Sequence, residues 1–283
     1  MRMIDDLVGG VERWRALDGI GRPVAAAVSR AVSPRPVRNL LSGTALGHPA
    51  HPVLTDLPIG AWSMAAVLDV VGGRAAEPAA DLLVATGVAA AVPTAATGLN
   101  DWSDTKGAAR RVGQVHAAAN TIGLALYSAS YAYRRRGRRT TGKALGLAGL
   151  GAVLAGGFLG GHLSYALGVN VNRTAWRRGP RDWTDVLDEA GLAPGGHRLV
   201  PAGDVSVLLV RDDGAITALD NVCSHMGGPL QEGTIADGCV TCPWHGSTFR
   251  LEDGSIVRGP ASVPQPAYEA RVQDGRIQVR ARP

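Results

Sequence analysis

Hydrophobic residues of this chain are concentrated in four long stretches separated by short polar segments. The stretches cover residues 52–73, 80–99, 115–133 and 144–168. Each is close to the roughly 20 residues with which an α-helix crosses a bilayer, and each is rich in small residues, which let helices pack closely inside a membrane. A soluble Ala-rich bundle is the alternative, but the polar helix faces that such a bundle needs are missing. The pattern therefore predicts a four-helix transmembrane domain over residues 46–170.

The pattern changes to short alternating runs after residue 170. Residues 171–181 are interpreted as a linker. From residue 182 to residue 283, runs rich in β-branched residues are separated by turns, and Asp274-Gly275 is typical of a two-residue hairpin turn. This pattern predicts a small all-β domain.

Residues 1–45 are charged and mildly amphipathic. They are expected to lie on the membrane surface as one or two helices, broken at the proline-rich segment 33–36. No internal repeat is evident in the chain. The expected fold class is thus a multidomain membrane protein, with an N-terminal all-α four-helix transmembrane bundle and a C-terminal all-β domain.

The charge distribution also favours a membrane protein. Lys and Arg number 29 and Asp and Glu 24, which gives a formal net charge of +5. A basic chain is compatible with nucleic-acid binding, but here Arg clusters beside the apolar stretches, where it sets membrane topology. We therefore expect a lipid bilayer and no nucleic acid as partner. The Lys and Arg distribution, with no evident secretory signal, favours cytoplasmic termini and a cytoplasmic all-β domain at a bacterial inner membrane.

Two cysteine–histidine pairs lie in the all-β half of the chain. One residue separates Cys223 from His225, two residues separate Cys242 from His245, and sixteen residues lie between the pairs. These donors suit a zinc site, or a two-iron, two-sulfide cluster with two cysteines on one iron and two histidines on the other. A thiol redox pair of Cys239 and Cys242 is a third interpretation, but no strand-to-helix turn carries them.

The glycines around both pairs favour the cluster. Gly227 and Gly228 follow the first pair, and Gly246 follows the second. Glycine permits close backbone approach, so that amide groups can point at cluster sulfides. A zinc finger more often carries its histidines on a helix, and no helical pattern occurs in this stretch.

Residues 182–283 closely resemble Rieske ferredoxin-type domains. The resemblance is carried by NVCSHMGGPL, CPWHGSTF and GSIVRGPASVPQPAYEARV. It implies a [2Fe–2S] cluster, with Cys223 and Cys242 on one iron and His225 and His245 on the other. It also implies an electron carrier. Because no domain with a mononuclear iron site follows the cluster, no catalytic residue is expected.

The same resemblance favours the lower part of the range of reduction potentials of Rieske centres. High-potential members usually have an extra cysteine in each ligand loop, joined as a disulfide, and Ser and Tyr hydroxyls near the cluster. Here Cys239 has no intrachain partner and is expected to be a packed free thiol. Ser247 is retained, but Phe249 stands in place of the Tyr. Fewer donors to the cluster sulfurs lower the potential.

Four histidines are associated with the apolar stretches. His48 and His51 precede the first stretch, His116 opens the third, and His162 lies near the end of the fourth. Four alternating crossings bring these positions to one face of the membrane, where ionisable residues are candidates for function. A b-type haem held by two imidazoles, another metal ion and a bound quinol are the ligands that such a site suits. Helix-end histidines without any cofactor are the alternative.

Residues 45–170 also resemble a family of small bacterial four-helix membrane domains of uncharacterised function, through HPAHP before the first stretch and TGLNDWSD after the second. This resemblance supports a four-helix unit but implies no chemistry. The predicted function is membrane-bound electron transfer through a Rieske cluster, with a redox partner protein or quinone and a relay to a haem, metal or quinone site in the bundle. The alternative is a membrane-tethered Rieske ferredoxin, whose bundle only anchors it or docks a partner oxygenase or reductase.

Overall fold

The computed structural model describes residues 2–212 and 214–282, which form two compact units. The helical unit comprises the residues up to Ser33 together with Ala50–Val169. The β unit comprises Pro34–Pro49 together with the residues from Asn170 onward. Residues 1–45, interpreted above as one surface segment, are therefore divided between the two units.

The described part of the chain contains seven α-helices and ten β-strands. The helices are α1 (Arg2–Arg13), α2 (Asp18–Ala31), α3 (Arg35–Ser42), α4 (Ala50–Val71), α5 (Glu77–Ser103), α6 (Gly107–Arg135) and α7 (Arg139–Gly161). The strands are β1 (Thr184–Asp188), β2 (His197–Ala202), β3 (Val205–Asp212), β4 (Ala215–Asp220), β5 (Thr234–Ala236), β6 (Cys239–Thr241), β7 (Thr248–Arg250), β8 (Ile256–Arg258), β9 (Ala267–Gln273) and β10 (Arg276–Ala281).

Two antiparallel sheets form the β unit and confirm the predicted all-β domain. One sheet has the order β1-β10-β9-β4-β3-β2, and the other has the order β5-β6-β7-β8. The β9–β10 hairpin closes through Asp274 and Gly275, both at positive φ (52° and 73°), as the sequence predicts for a two-residue turn.

Strand β3 is buried on both faces. Val207 and Leu209 belong to one core cluster, whereas Leu208 and Val210 belong to a second cluster that also contains Phe249 of β7. Because side chains alternate along a strand, a strand buried on both sides is a continuous apolar run. The second cluster also contains the two cysteines of the candidate site, so this core supports that site directly.

Four long helices, α4 to α7, confirm the predicted bundle. Three segments are long and apolar enough to cross a membrane: Ala50–Val71, Arg74–Ser103 and Arg139–Ala166. Helix α6 has 29 residues but is more polar than the sequence analysis assumed. Its polar side chains hold the N-terminal helices: Arg111 donates to the Glu12 carbonyl at 2.7 Å and to Asp18 at 3.1 Å, and Gln114 donates to the Leu17 carbonyl at 3.1 Å.

The N-terminal segment forms three helices instead of one or two. Helix α2 ends at Ala31 and α3 begins at Arg35, so the break falls at the proline-rich segment, as predicted. Pro36 lies in the first turn of α3, where a missing amide hydrogen is tolerated because that amide has no partner within the helix.

The hairpins α4–α5 and α6–α7 are an internal repeat, which the sequence analysis did not detect. Asp69 of α4 pairs with Arg134 of α6, 65 positions later. Residues at the same separation meet at two other levels: Trp62 stacks on Tyr127, with ring centres 4.2 Å apart, and the ring centres of His51 and His116 are 6.3 Å apart. Each residue of these pairs thus occupies the same position in its own hairpin as its partner does in the other hairpin, even where the two residue types differ.

A buried charge network closes the Asp69 end of the bundle. Arg134, whose side chain is 1% exposed, contacts Asp69 (5% exposed) and donates to Asp81 at 3.1 Å. Arg139 of α7 also contacts Asp81, at 3.0 Å, and Glu77, at 3.2 Å. In a low-dielectric setting charged groups need partners, and here all four long helices supply them.

Replacing Arg134 with Ala is expected to destabilise the helical unit by about 3 kcal/mol, because it leaves Asp69 buried without its main partner. Thermal unfolding of the detergent-solubilised protein, followed by circular dichroism, measures the change. Arg135→Ala is the matched control, because Arg135 is exposed one position further along the same helix. Equal unfolding temperatures for the two variants would contradict a stabilising role of the network.

Candidate metal centre

The loop that follows β4 carries the first cysteine–histidine pair. The buried carboxylate of Asp220, at the end of β4, accepts hydrogen bonds from the Val222 amide at 2.8 Å, from Arg177 at 2.8 Å and from the Tyr268 hydroxyl at 3.2 Å. Burial, followed by the nearby carboxylate of Asp220, raises the pKa of Tyr268, so its hydroxyl stays a donor. These contacts fix the path of the chain towards Cys223.

Gln265 fixes the same loop from the other side. Its side-chain amide donates to the carbonyls of Asp220 and Val222, at 2.7 and 2.8 Å, and its carbonyl oxygen accepts from the Ser224 amide at 2.9 Å. The Ser224 hydroxyl donates to the Val263 carbonyl at 2.8 Å. The segment before β9 thus supplies hydrogen-bond partners for backbone groups of the first loop. The spacing of the Cys–His pairs in the sequence did not indicate this support.

The two loops contain the same tight turn. In the first, the Gly227 amide donates to the Cys223 carbonyl at 2.8 Å and the Cys223 amide donates to the Gly228 carbonyl at 2.9 Å. In the second, the Gly246 amide donates to the Cys242 carbonyl at 3.1 Å and the Cys242 amide to the Ser247 carbonyl at 2.8 Å. Gly227 and Gly246 both have positive φ (82° and 73°), which explains why glycine occupies these places.

The two turns bring all four predicted donor side chains together. Cys223 and Cys242 are buried and share a hydrogen bond through their sulfur atoms. The ring centres of His225 and His245 are 5.2 Å apart, with the rings nearly perpendicular at 88°. Trp244, between the second pair, is 51% exposed, so one side of the site reaches the surface of the β unit.

The electrostatics favour the metal-binding form of two donors, the Cys242 thiolate and the neutral His225 imidazole, whereas Cys223 keeps its proton until a metal displaces it. The sulfur–sulfur hydrogen bond raises the pKa of Cys223 and lowers that of Cys242 to about 7, because Cys223 donates to the thiolate of Cys242. Burial, then the His245 ring, then the cations of Arg38 and Arg173 lower the pKa of His225 to about 3. Thiolate and neutral imidazole are the forms that bind metals.

The donor set and its surroundings fit a two-iron cluster. A two-iron cluster with mixed ligands needs only two protein donors on each iron. A Cβ atom on Gly228 would lie 2.8 Å from the Cys242 sulfur and 3.0 Å from Trp244, so only glycine fits against this side of the site. Two thiols and two imidazoles are the donors that such a mixed-ligand centre uses.

Helix α3 brings a cation to this site, and the sequence analysis missed it. The Asn39 side chain accepts from the Gly259 amide at 2.8 Å and donates to the Val257 carbonyl at 3.3 Å, which fixes α3 to β8 and the loop after it. Arg38, the preceding residue, is buried and acts electrostatically on His225. The amphipathic pattern of residues 1–45 did not indicate this role, because His225 and the β8 segment that holds α3 are far away in the chain.

The backbone on the other side of the first loop contributes a second cation. The Arg173 amide donates to the Ser224 carbonyl at 3.0 Å, and its side chain would lie 3.8 Å from a Cβ atom on Gly227. In the sequence, Arg173 is one of the Arg residues that cluster beside the apolar stretches, where they were assigned to membrane topology. Charge and hydropathy patterns do not distinguish that role from a position beside a metal centre.

The other predicted residues near the centre are placed as follows. Cys239 is a free, half-buried thiol on β6 and does not belong to the donor group. The buried Ser247 hydroxyl accepts from the Ala261 amide at 3.0 Å. Phe249 is fully buried in the core cluster that also contains both donor cysteines.

The four membrane-associated histidines do not form one group. His51 and His116 lie together in the helical unit. His162 instead pairs with Glu12, through Nε2 and a carboxylate oxygen 2.8 Å apart. His48 belongs to the β unit, and its Nδ1 lies 3.2 Å from the adjacent Pro49 carbonyl. Of the four histidines, only His51 and His116 lie ring to ring in the part of the chain that the structure describes.

The fold and the donor set define a two-unit protein that combines a helical membrane bundle with a β domain built around two Cys–His loops. Comparison with known families agrees: the model described as Rieske [2Fe-2S] domain matches residues 182–269, and that described as Predicted membrane protein (DUF2231) matches residues 47–173. The chain belongs to the Rieske [2Fe–2S] family and also carries this second, membrane domain. A Rieske domain implies a [2Fe–2S] cluster and electron transfer.

Individual relatives match the Rieske part of the chain. Apoptosis-inducing factor 3 of Homo sapiens is 36% identical over 90 residues, which are 32% of this chain and only 15% of that protein. The methanesulfonate monooxygenase ferredoxin subunit of Methylosulfonomonas methylovora is 32% identical over 96 residues, 34% of this chain and 77% of the subunit. A solved structure, the ferredoxin of carbazole 1,9a-dioxygenase from Nocardioides aromaticivorans, is 26% identical and covers 35% of this chain and 98% of its own, with a TM-score of 0.34.

Proposed function

We propose that this protein is a membrane-bound one-electron carrier, in which Cys223 and Cys242 bind one iron of the cluster and His225 and His245 bind the other. The observation that carries the proposal is the convergence of these four side chains on two equivalent turns, with sulfur–sulfur contact and imidazole rings 5.2 Å apart. The bound cluster supplies reversible one-electron chemistry.

Residues around the site set how readily an electron is accepted. Neutral imidazoles in place of two thiolates reduce the negative charge of a cluster and raise its potential. Buried Arg38 and nearby Arg173 act in the same direction, because a reduced cluster carries one more negative charge. Phe249 acts in the opposite direction, since it cannot donate a hydrogen bond where a Tyr would.

The helical unit anchors the carrier in a membrane, and we place the β unit on the cytoplasmic side of the plasma membrane. Four long helices, α4 to α7, lie between the N-terminal helices and the β unit. If α6 crosses the membrane together with the three apolar segments, the N-terminal helices and the β unit lie on a common side. Near the spans themselves the two sides carry similar numbers of Lys and Arg, and the further Arg residues of the N-terminal segment support the cytoplasmic side.

The electrons pass between the cluster and a second site in the bundle, for which haem, another metal ion and quinone are the candidate occupants. The proximity of His51 to His116 supports such a site. The second candidate function is a tethered ferredoxin that serves a partner oxygenase or reductase. Its support is the 32% identity to an oxygenase ferredoxin subunit, whose length this chain covers to 77%.

Replacing any one of Cys223, His225, Cys242 or His245 with Ser (for Cys) or Ala (for His) is expected to remove at least 90% of the Rieske signal in the electron paramagnetic resonance spectrum of the reduced protein. Loss of one donor leaves an iron underligated and exposes the cluster to hydrolysis. Cys239→Ser is the matched control, because this thiol lies outside the donor group. A signal retained by any of the four variants, or lost in the control, refutes the ligand assignment.

Arg38→Gln is expected to lower the reduction potential of the cluster by on the order of tens of millivolts, because it removes a buried cation that stabilises the added electron. A redox titration followed by the Rieske resonance measures the shift. The exposed Arg35, on the same helix, provides the control variant Arg35→Gln, which should keep the wild-type potential. An unchanged or raised potential in Arg38→Gln is the contrary result.

A reporter domain that is active only in the cytoplasm, fused after the last residue, is expected to be active. The physical reason is the retention on the cytoplasmic side of the larger total of Lys and Arg, which is reached only when the N-terminal segment is counted. The same reporter inserted between α6 and α7 should be inactive, since α7 crosses back. If the α6–α7 fusion is active and the C-terminal fusion is inactive, the protein has the opposite orientation in the membrane and the proposed topology is wrong.

A further inference from the structure

We propose that His51 and His116 are the two axial ligands of a b-type haem bound between the hairpins α4–α5 and α6–α7. This deepens the relay function proposed above, and it rests on that function only for the source and destination of the electron. The site itself stands on the geometry of the helical unit.

Both imidazole rings are held in the tautomer that leaves Nε2 available for a metal. Nδ1 of His51 lies 3.0 Å from the Thr94 carbonyl, and Nδ1 of His116 lies 2.8 Å from the Gly156 carbonyl. A carbonyl oxygen only accepts, so Nδ1 carries the hydrogen in both rings and the lone pair is on Nε2. Metal-binding histidines commonly donate their other ring nitrogen to a backbone carbonyl in this way.

A neighbouring amide makes only long contacts with the two ring nitrogens of His116, at 3.4 Å each. Asn120 lies one turn after His116, and its amide nitrogen is 3.4 Å from Nε2 of His116. That distance is longer than a good hydrogen bond. The amide donates instead to the His116 backbone carbonyl, at 2.9 Å.

Each ring is seated against a glycine of the second helix of its own hairpin. A Cβ atom on Gly98 of α5 would lie 2.7 Å from the His51 ring, and one on Gly160 of α7 would lie 3.2 Å from the His116 ring. In both helices the carbonyl that binds Nδ1 belongs to the residue four positions before that glycine. The internal repeat thus builds the same histidine support twice, once on each side of the bundle.

The same arrangement occurs again about three helical turns after the histidines. There, Trp62 of α4 lies against Gly87 of α5, Tyr127 of α6 lies against Gly149 of α7, and the two aromatic rings stack on each other between the hairpins. The histidine pair is therefore one level of a two-fold arrangement, not an isolated contact. A planar ligand with two equivalent axial positions matches this arrangement.

The small number of donors selects haem over a bare metal ion. No third His, Cys, Asp or Glu is grouped with the pair in the part of the chain that the structure describes. A structural zinc ion takes four donors, whereas haem iron receives four nitrogens from its porphyrin and needs only two from the protein. With metal–nitrogen bonds of about 2 Å, two opposed imidazoles hold their ring centres roughly 6 Å apart; the observed separation is 6.3 Å, with the rings 84° from coplanar.

The depth of the pair suits a redox centre near one membrane surface. At a rise of about 1.5 Å per residue, the levels of His51 and Asp69 are about 27 Å apart, close to the thickness of the hydrocarbon core. The charge network therefore lies at one surface and the histidine pair lies at the other. The histidine end is also the end at which the chain leaves α7 for the β unit.

Haem analysis of the full-length protein tests the proposal. Protein purified in mild detergent, from cells supplied with a haem precursor, is expected to contain one haem per chain, with sharp reduced Soret and α bands. His51→Ala and His116→Ala should each lower the haem content at least tenfold. The matched controls His48→Ala and His162→Ala remove histidines outside the pair and should keep it.

The Rieske resonance, recorded on the same samples, separates this proposal from the proposed function. It should be unchanged in all four histidine variants, which also shows that the protein is folded. A wild-type protein that binds no haem after addition of hemin overturns the proposal, as does a haem band that survives both His51→Ala and His116→Ala. Copper or zinc bound at the pair in place of haem overturns it as well, and neither result affects the cluster assignment.

A cavity variant separates ligation from a structural role. His116→Gly removes the ring but leaves space for a free imidazole. Added imidazole is expected to restore the six-coordinate haem spectrum of this variant, with little effect on the His116→Leu variant, whose side chain fills the space. Absence of rescue in a His116→Gly sample with an intact Rieske resonance counts against axial ligation.

Discussion

Two glycine-ended turns with one hydrogen-bond pattern are the constraint on which the β unit depends. Each turn ties the amide and carbonyl of a donor cysteine into the loop, so the cysteine side chain has little freedom to move away. The loops are supported by buried Asp220 and Gln265, which bond to backbone groups on the way to Cys223. The stability of the β unit and the proposed site are therefore linked, because the contacts that satisfy the buried backbone also position the side chains proposed to hold the cluster.

The helical unit obeys a comparable rule for buried polar groups. At one end of the bundle, Arg134 and Asp69 neutralise each other, and at the other end His51 and His116 bond to backbone carbonyls. Between them, Trp62 and Tyr127 form an apolar layer, although Trp62 still donates to the Val84 carbonyl at 3.3 Å. Every polar level thus has an internal partner, as a lipid environment requires.

Several features were predictable from local sequence. The long apolar stretches identified the bundle, and the two Cys–His pairs with their glycines identified the centre, because both signals lie within short segments. The internal repeat escaped detection since equivalent residues differ in type: Asp69 corresponds to Arg134 and Trp62 to Tyr127. Complementary residues at equivalent positions stabilise a two-fold interface but leave little sequence similarity. The role of Arg38 also escaped, because its contact is between segments far apart in the chain.

The sequence by itself determined the class of each half of the protein: hydropathy indicates membrane helices, and the two Cys–His pairs with their glycines, through the resemblance to Rieske domains, indicate the type of metal centre. Only the tertiary structure decided which histidines meet, which cations approach the centre, and that residues 34–49 pack with the β unit. The physical reason is the sequence separation over which each kind of signal acts. Periodicity and turn chemistry act over a few residues, whereas the choice among four histidines and among 29 basic residues depends on which helices and loops are neighbours in space.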